Sequence, residues 1–140
     1  MTRLSQRCTR ILRVRSIEHR VAASRQAVAE RRVVELLGVA RRLGDLRESL
    51  RPVPGPVSGQ ALHAMSEMED RLRRAAGDLA QPISLAEAHH EQASIARIWA
   101  RTREDGAERL RDKAEAKEVG ARTLREDANR PQRFNKRMRG

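Results

Sequence analysis

The sequence predicts an all-α protein, an antiparallel two-helix coiled-coil hairpin. Three observations lead to this fold class. The composition, 35% charged and only 1% aromatic, is typical of long helices and coiled coils. Apolar residues recur at intervals of three, four and seven along most of the chain. A single segment rich in proline and glycine, residues 52–59, interrupts that pattern.

The first long helix is predicted over residues 1–51. Its apolar side chains follow one another at spacings of three and four, as a helix with one apolar face requires. The positions assigned to this face are Leu4, Ile11, Val14, Ile17 or Val21, Val28, Val33, Leu36 or Leu37, Ala40, Leu43, Leu46 and Leu50. Near Arg31 and Arg32 the pattern shifts by about one residue, which we interpret as a local change in supercoil winding.

Residues 52–59 form the predicted turn. They contain three of the five prolines, and each proline lacks the backbone N–H that a helix interior needs. Folding about residue 55 or 56 would place Ile11 level with a residue near 100. The chain beyond about residue 110 would then extend past the N-terminus, where no other part of the chain could pack against it.

The second long helix, predicted over residues 60–128, carries the most regular pattern in the chain. One position in every seven is apolar, which is the repeat of a coiled coil. The seam positions are Met65, Leu72, Leu79, Ala86, Ala93, Ala100, Ala107, Ala114, Ala121 and Ala128. A buried Leu contributes about 1.5–3 kcal/mol and an Ala only a fraction of that. We therefore expect firm packing near the turn and weak packing far from it.

Pro82 lies inside the second helix and leaves two structures open. Either the helix kinks there, or it breaks near 81–84, where Ser84 and Glu87 have the spacing of a capping box. A break would give three helices instead of two. From residue 129 to 140 the chain is predicted to be a flexible basic tail.

The positive charge is concentrated at the two ends of the chain. Net charge is +11 overall, with 13 Lys or Arg against 5 Asp or Glu in residues 1–51 and five cations against none in residues 130–140. Such ends attract an acidic protein, nucleic acid or an anionic membrane. The basic residues expected to dock are Arg3, Arg7, Arg10, Arg13, Arg15, Arg133, Lys136, Arg137 and Arg139. A solvated surface that keeps a long helix in solution is the alternative.

The sequence shows no constellation typical of an enzyme, a metal site or a cofactor site. His89 and His90 are adjacent, so on a helix they point about 100° apart and are poorly placed to share an ion. Cys8 has no partner for an intrachain disulfide, which fits a reducing cytoplasm. Neither a cleaved signal peptide nor a membrane span is expected.

Two binding interpretations remain for this helical surface. Nucleic acid could use the positive charge, but the aromatic residues on which single strands stack are missing. Trp99, next to Ala100 of the seam, either covers the edge of the coiled coil or anchors a partner.

This layout resembles the central-stalk family of type III secretion systems, the group of the flagellar FliJ and injectisome YscO proteins. The resemblance lies in the basic first helix, the proline- and glycine-rich turn, and the longer charge-dense second helix with its basic tail. The stretch Ile-Leu-Arg-Val-Arg-Ser-Ile-Glu-His-Arg, residues 11–20, resembles the opening of the YscO branch.

The resemblance implies a cytoplasmic, non-enzymatic protein beside the inner-membrane secretion apparatus. Its paired basic termini would enter the pore of a hexameric secretion ATPase, its turn would reach the export gate, and substrate chaperones would be further partners. Flagellar members carry aromatic residues near the turn that this chain lacks. The apolar candidates at the gate end are Leu46, Leu50, Leu62, Met65 and Met68. A generic coiled-coil scaffold or chaperone-binding protein is the alternative, and a basic nucleic-acid-associated protein is a less favoured one.

Overall fold

The computed structural model describes residues 2–51 and 54–131. Those residues form three α-helices and contain no β-strand. The helices are α1, Arg3–Ser49, α2, Gly59–Asp78, and α3, Ala80–Asn129. The prediction of an all-helical chain is confirmed. Pro52 and Val53 of the predicted turn and residues 132–140 of the predicted tail lie outside the described residues.

Leu79 alone separates α2 from α3. Its N–H bonds the carbonyl oxygen of Ala76 at 3.3 Å, one residue short of the α-helical partner, and the N–H of Ile83 then bonds the carbonyl of Leu79 at 3.0 Å. Pro82 falls in the first turn of α3, where its missing N–H removes no intrahelical bond. The interruption therefore precedes Pro82, and Ser84 lies inside α3 instead of capping a new helix.

The start of α2 has a defined cap. Ser58 has extended backbone angles, and its side-chain oxygen accepts a hydrogen bond from the N–H of Ala61 at 3.1 Å. Serine is among the preferred residues at this position because it satisfies an N–H that the first turn leaves unpaired. The helix therefore begins directly after the segment that holds the three prolines.

The chain divides into two compact units, which are described separately. The terminal unit consists of Met1–His19 and Ala100–Gly140, and the turn unit consists of Arg20–Trp99. In the terminal unit the first part of α1 contacts the later part of α3. In the turn unit the rest of α1 contacts α2 and the first part of α3.

One face of α1 is buried or half-buried, at spacings that alternate between three and four. In the terminal unit this face consists of Ser5, Cys8, Leu12, Arg15 and His19. In the turn unit it consists of Ala22, Gln26, Ala29, Val33, Leu36, Ala40, Leu43, Arg47 and Leu50. These positions follow one heptad repeat without interruption. The shift predicted near Arg31 and Arg32 is therefore absent.

The apolar face predicted for the first half of α1 is wrong. Its side chains are 40–59% exposed, and they are Leu4, Ile11, Val14, Ile17, Val21 and Val28. The buried face of α1 opposite the alanines of α3 in the terminal unit begins instead with Ser5 and Cys8. Alanine seams bring two helices close together, and small side chains fit that distance better than branched ones.

The seven-residue repeat predicted for the second long helix is buried or half-buried from Met65 to Ala114. Each of its positions over this range is buried or half-buried: Met65, Leu72, Leu79, Ala86, Ala93, Ala100, Ala107 and Ala114. Ala121 is exposed, because Thr2, just before the start of α1, already lies level with Glu118.

Two contacts set the alignment of the helices in the terminal unit. The backbone N–H of Thr2 donates to the carboxylate of Glu118, and Nδ1 of His19 lies 2.6 Å from a carboxylate oxygen of Glu104. Ile11 is therefore level with a residue near 110, not near 100 as predicted. In this unit the part of α3 that extends past α1 therefore begins after Glu118, not after about residue 110 as predicted.

No helix in the described part of the chain has both the length and the apolar character that a membrane span requires.

Candidate functional site

The arginines at the start of α1 form an exposed basic surface, here called the basic collar. Arg3, Arg7, Arg10 and Arg13 are exposed, and no carboxylate among the described residues lies within ion-pair distance of them. Arg15 differs, since it is half-buried and bonds Glu18 at 2.9 Å. The collar therefore consists of four arginines that can bind anions without breaking an internal ion pair.

The remaining basic candidates belong to the predicted tail. Arg133, Lys136, Arg137 and Arg139 lie outside the described residues. Arg130, the last described cation, lies 3.9 Å from Asp127.

Along α3 the charges of the terminal unit are mixed. Arg111 bonds Asp112 at 3.1 Å and lies 3.9 Å from Glu108. The hydrogen bond to Asp112 raises the pKa of Arg111 above its ordinary value, and the carboxylates around it act in the same direction. Since α3 carries both signs here, the excess of positive charge among the described residues of this unit lies mainly on α1.

The seam of the terminal unit is narrow and partly polar. Ala100, Ala107 and Ala114 are its buried residues on α3, and Ser5 is fully buried on α1. The hydroxyl of Ser5 and Nε2 of His19 are buried without a hydrogen-bond partner among the described residues. Each such group costs about 1–3 kcal/mol. The two unpaired polar atoms therefore lower the stability that this seam contributes, and weak packing in this unit stays a prediction from the change from leucine to alanine.

Hydrogen bonds from Thr2 hold Glu118 at the far end of the same seam. They come from the side chain and from the backbone N–H, and they lower the pKa of Glu118 below its ordinary value. This contact joins the residue that precedes α1 to α3, and it keeps the basic collar beside that helix.

Near the turn, three of the predicted gate-end residues come together. Leu50, Leu62 and Met65 line an open depression of about 590 Å³ between the end of α1 and the start of α2. Leu46 and Met68 are exposed and are not among the residues that line it. The depression is not purely apolar, because Arg47, Glu48, Arg51 and Glu69 also line it. Within it Leu50 and Met65 are half-buried.

Polar side chains interrupt the seam of the turn unit at two points. Arg47 donates two hydrogen bonds to one oxygen of Glu69, at 3.0 and 3.2 Å. Gln26 donates to Ser94 at 3.0 Å and accepts from Arg97 at 2.8 Å. Polar residues at seam positions specify the alignment of paired helices, because a shifted alignment would leave them unpaired.

These polar seam residues were not predicted, although the sequence contains a signal for them. His19, Gln26 and Arg47 share one repeat of seven with Ser5 and Leu12. In the first half of α1 the apolar side chains form a different stripe, from Leu4 to Val28, and that stripe is exposed.

The remaining candidates are placed individually. Cys8 is half-buried in the seam of the terminal unit, His89 is exposed and His90 is half-buried. Trp99 is 60% exposed. Within the described ranges, no group of three or more His, Cys, Asp or Glu residues is arranged to hold a metal ion.

Comparison with known proteins identifies no relative of this chain, so the proposed function is argued from the surfaces described above. No protein-family model matches the sequence, no curated protein matches it, and no solved structure matches the fold.

Proposed function

We propose that this protein is a non-enzymatic stalk of a type III secretion apparatus, coupling a hexameric secretion ATPase to the export gate. In this proposal the helices form an antiparallel coiled-coil hairpin, and the basic termini enter the ATPase pore. The protein would act in the cytoplasm, at the inner-membrane face of the apparatus. Substrate chaperones are additional proposed partners.

The observation that supports this function best is the basic collar. Its four arginines are exposed and have no carboxylate partner in the described ranges. The contact between Thr2 and Glu118 brings the collar beside α3. After Glu118, α3 continues for about 16 Å to Asn129, at 1.5 Å per residue. In the sequence the basic tail follows that helix end.

Acidic loops in a pore would bind such a surface through long-range electrostatics. At physiological ionic strength the screening length is about 8 Å, so binding should weaken as salt concentration rises. At the other end, Leu46, Leu50, Leu62, Met65 and Met68 would offer an apolar surface to the gate. The polar seam residues would keep the two helices in one alignment under load.

Charge reversal of the collar tests the proposal. Arg7, Arg10 and Arg13 are changed together to Glu, and binding to the purified secretion ATPase and the rate of ATP hydrolysis are measured. Each exposed pair contributes about 0.2–1 kcal/mol, so we expect binding to weaken about tenfold or more and stimulation of hydrolysis to disappear.

The matched control reverses three exposed arginines of the turn unit, Arg41, Arg42 and Arg74. It makes the same change in net charge without touching the collar. If both triple variants lose binding equally, the collar has no specific role, and if neither loses binding, the proposal is wrong.

A generic coiled-coil scaffold is the second candidate. It is favoured by the exposed branched side chains of α1 in the terminal unit, Leu4, Ile11, Val14 and Ile17, since exposed apolar stripes mark interaction surfaces. Sedimentation equilibrium distinguishes a self-associating scaffold, which forms dimers at micromolar concentration, from a stalk, which stays monomeric without its ATPase.

A further inference from the structure

The turn unit contains a groove with few charges on one side of α1 and α3. Its volume is about 580 Å³, and it is open to solvent. The residues that line it are Ala22, Ser24, Arg25, Val28, His89, Gln92, Ala93 and Ala96. Alanines on both helices keep the groove wide. In the whole chain 35% of the residues are charged. A surface with so few charges is therefore unusual for this protein.

Large apolar side chains are exposed on the face of α3 that carries Gln92 and at Val28 of α1. Leu85 and Trp99 each lie seven residues from Gln92, so they share its face of α3. They are 63% and 60% exposed, and Val28 on α1 is 59% exposed. Exposed side chains of this size, gathered on one face, are typical of surfaces that another protein covers.

Arg25 is the one permanently charged side chain that lines the groove. It is exposed, and no carboxylate in the described part of the chain pairs with it. An apolar groove with an unpaired guanidinium at its side is complementary to an apolar helix that carries a carboxylate.

We propose that this groove binds one amphipathic α-helix of a partner protein, with its apolar face on Val28, Ala96 and Trp99 and an acidic side chain opposite Arg25. The small residues of the groove allow a third helix to approach closely, as in a three-helix bundle. The proposal stands independently of the secretion function.

A second copy of this chain fits the groove less well. A two-fold interface presents the same surface from both copies, so two groove faces would each bring an Arg25 and no carboxylate among their lining residues. Each chain also carries a net charge of +11, which opposes self-association.

The fluorescence of Trp99 can report binding directly, because Trp99 is the one tryptophan in a chain without tyrosine. The full chain is titrated with two synthetic amphipathic helical peptides that share a leucine heptad and differ in carrying Glu or Lys on the flanks. We expect a saturable blue shift of Trp99 emission with the Glu peptide. The Lys peptide should bind at least about tenfold more weakly, because it meets Arg25 with a like charge.

Three variants sharpen the test. Ala96→Arg fills the groove and should abolish the shift, while Arg25→Glu should reverse the preference between the peptides. Val34→Asp is the control, since Val34 is 63% exposed on α1 and does not line the groove. Circular dichroism checks that each variant keeps its helix content.

Several outcomes would overturn the proposal. They are no binding of either peptide, equal binding of both, or full binding by Ala96→Arg. A dimer in sedimentation equilibrium that Ala96→Arg dissociates would assign the groove to a second copy instead. None of these residues belongs to the basic collar, so failure here leaves the test of the stalk function unaffected.

Discussion

The terminal unit and the turn unit use the same heptad spacing to bury very different side chains. In the turn unit the seam of α1 includes Leu36, Leu43 and Leu50, and α2 and its junction with α3 add Leu72 and Leu79. In the terminal unit the buried positions are one serine and three alanines, Ser5, Ala100, Ala107 and Ala114. The comparison teaches that a continuous repeat can bury leucines in one region and mainly small side chains in another.

The two units also differ in net charge. Residues 20–99 carry 12 Lys or Arg against 10 Asp or Glu, which leaves nine of the eleven net positive charges to the residues of the terminal unit. Charges of one sign repel each other, so this excess opposes the folding of the unit. An acidic partner would both neutralise the charge and stabilise the helices that carry it.

The largest expected effect is the loss of a leucine from the turn unit. Leu36 is 7% exposed, and Leu36→Ala should lower the free energy of unfolding by about 2–5 kcal/mol because it leaves a cavity. Urea denaturation followed by circular dichroism measures the change. Leu37→Ala is the control, since Leu37 is 46% exposed and should change stability by about 0.5 kcal/mol. Equal effects would mean that the buried face of α1 is assigned wrongly.

Overpacking the alanine seam should have a smaller effect, confined to the terminal unit. Ala107→Leu inserts a large side chain where Ala107 is 6% exposed, which typically costs about 1–3 kcal/mol. Amide hydrogen exchange should then accelerate along residues 3–19 of α1. Ala116→Leu, at an exposed position of the same helix, should leave exchange unchanged. A stabilising effect of Ala107→Leu would show that the seam has room to spare.

Removal of the buried hydroxyl of Ser5 should stabilise the terminal unit. The Oγ of Ser5 has no hydrogen-bond partner among the described residues, so Ser5→Ala should raise stability by about 1 kcal/mol. Ser24→Ala, at an exposed position, measures the gain that alanine brings from helix propensity alone. If Ser5→Ala gains no more than this control, or loses stability, the hydroxyl is satisfied in solution.

The smallest effect concerns pH and Glu118. Because hydrogen bonds from Thr2 lower its pKa in the folded state below the ordinary value of 4.5, the unfolded chain binds the proton more readily. The stabilisation is complete above pH 4.5 and is lost as the pH falls through the folded pKa. Amide exchange in the first turn of α1 should follow this titration, and Glu118→Gln should remove it. Glu126 lies in the part of α3 that extends past the start of α1, so Glu126→Gln should not change exchange in the first turn of α1.

The heptad repeat of the second long helix could be predicted from the sequence. The buried face of the first half of α1 could not. The repeat from Met65 to Ala114 could be found because its apolar residues coincide with the seam. Along α1 the chain offers two stripes, and the apolar one with Ile11 and Val14 is exposed. Which stripe packs depends on the partner, since closely spaced alanines on α3 accept serine and cysteine more easily than branched side chains.

By itself the sequence determined that the described chain is helical, that the segment rich in proline and glycine interrupts it, and which residues from Met65 to Ala114 lie in the seam. Those properties depend on backbone preferences and on spacing along one helix. Only the tertiary structure decided that His19 meets Glu104, that Arg47 meets Glu69, and that Arg25 borders an apolar groove. Such pairings join residues far apart in the chain, and their alignment depends on packing distances that no single helix contains.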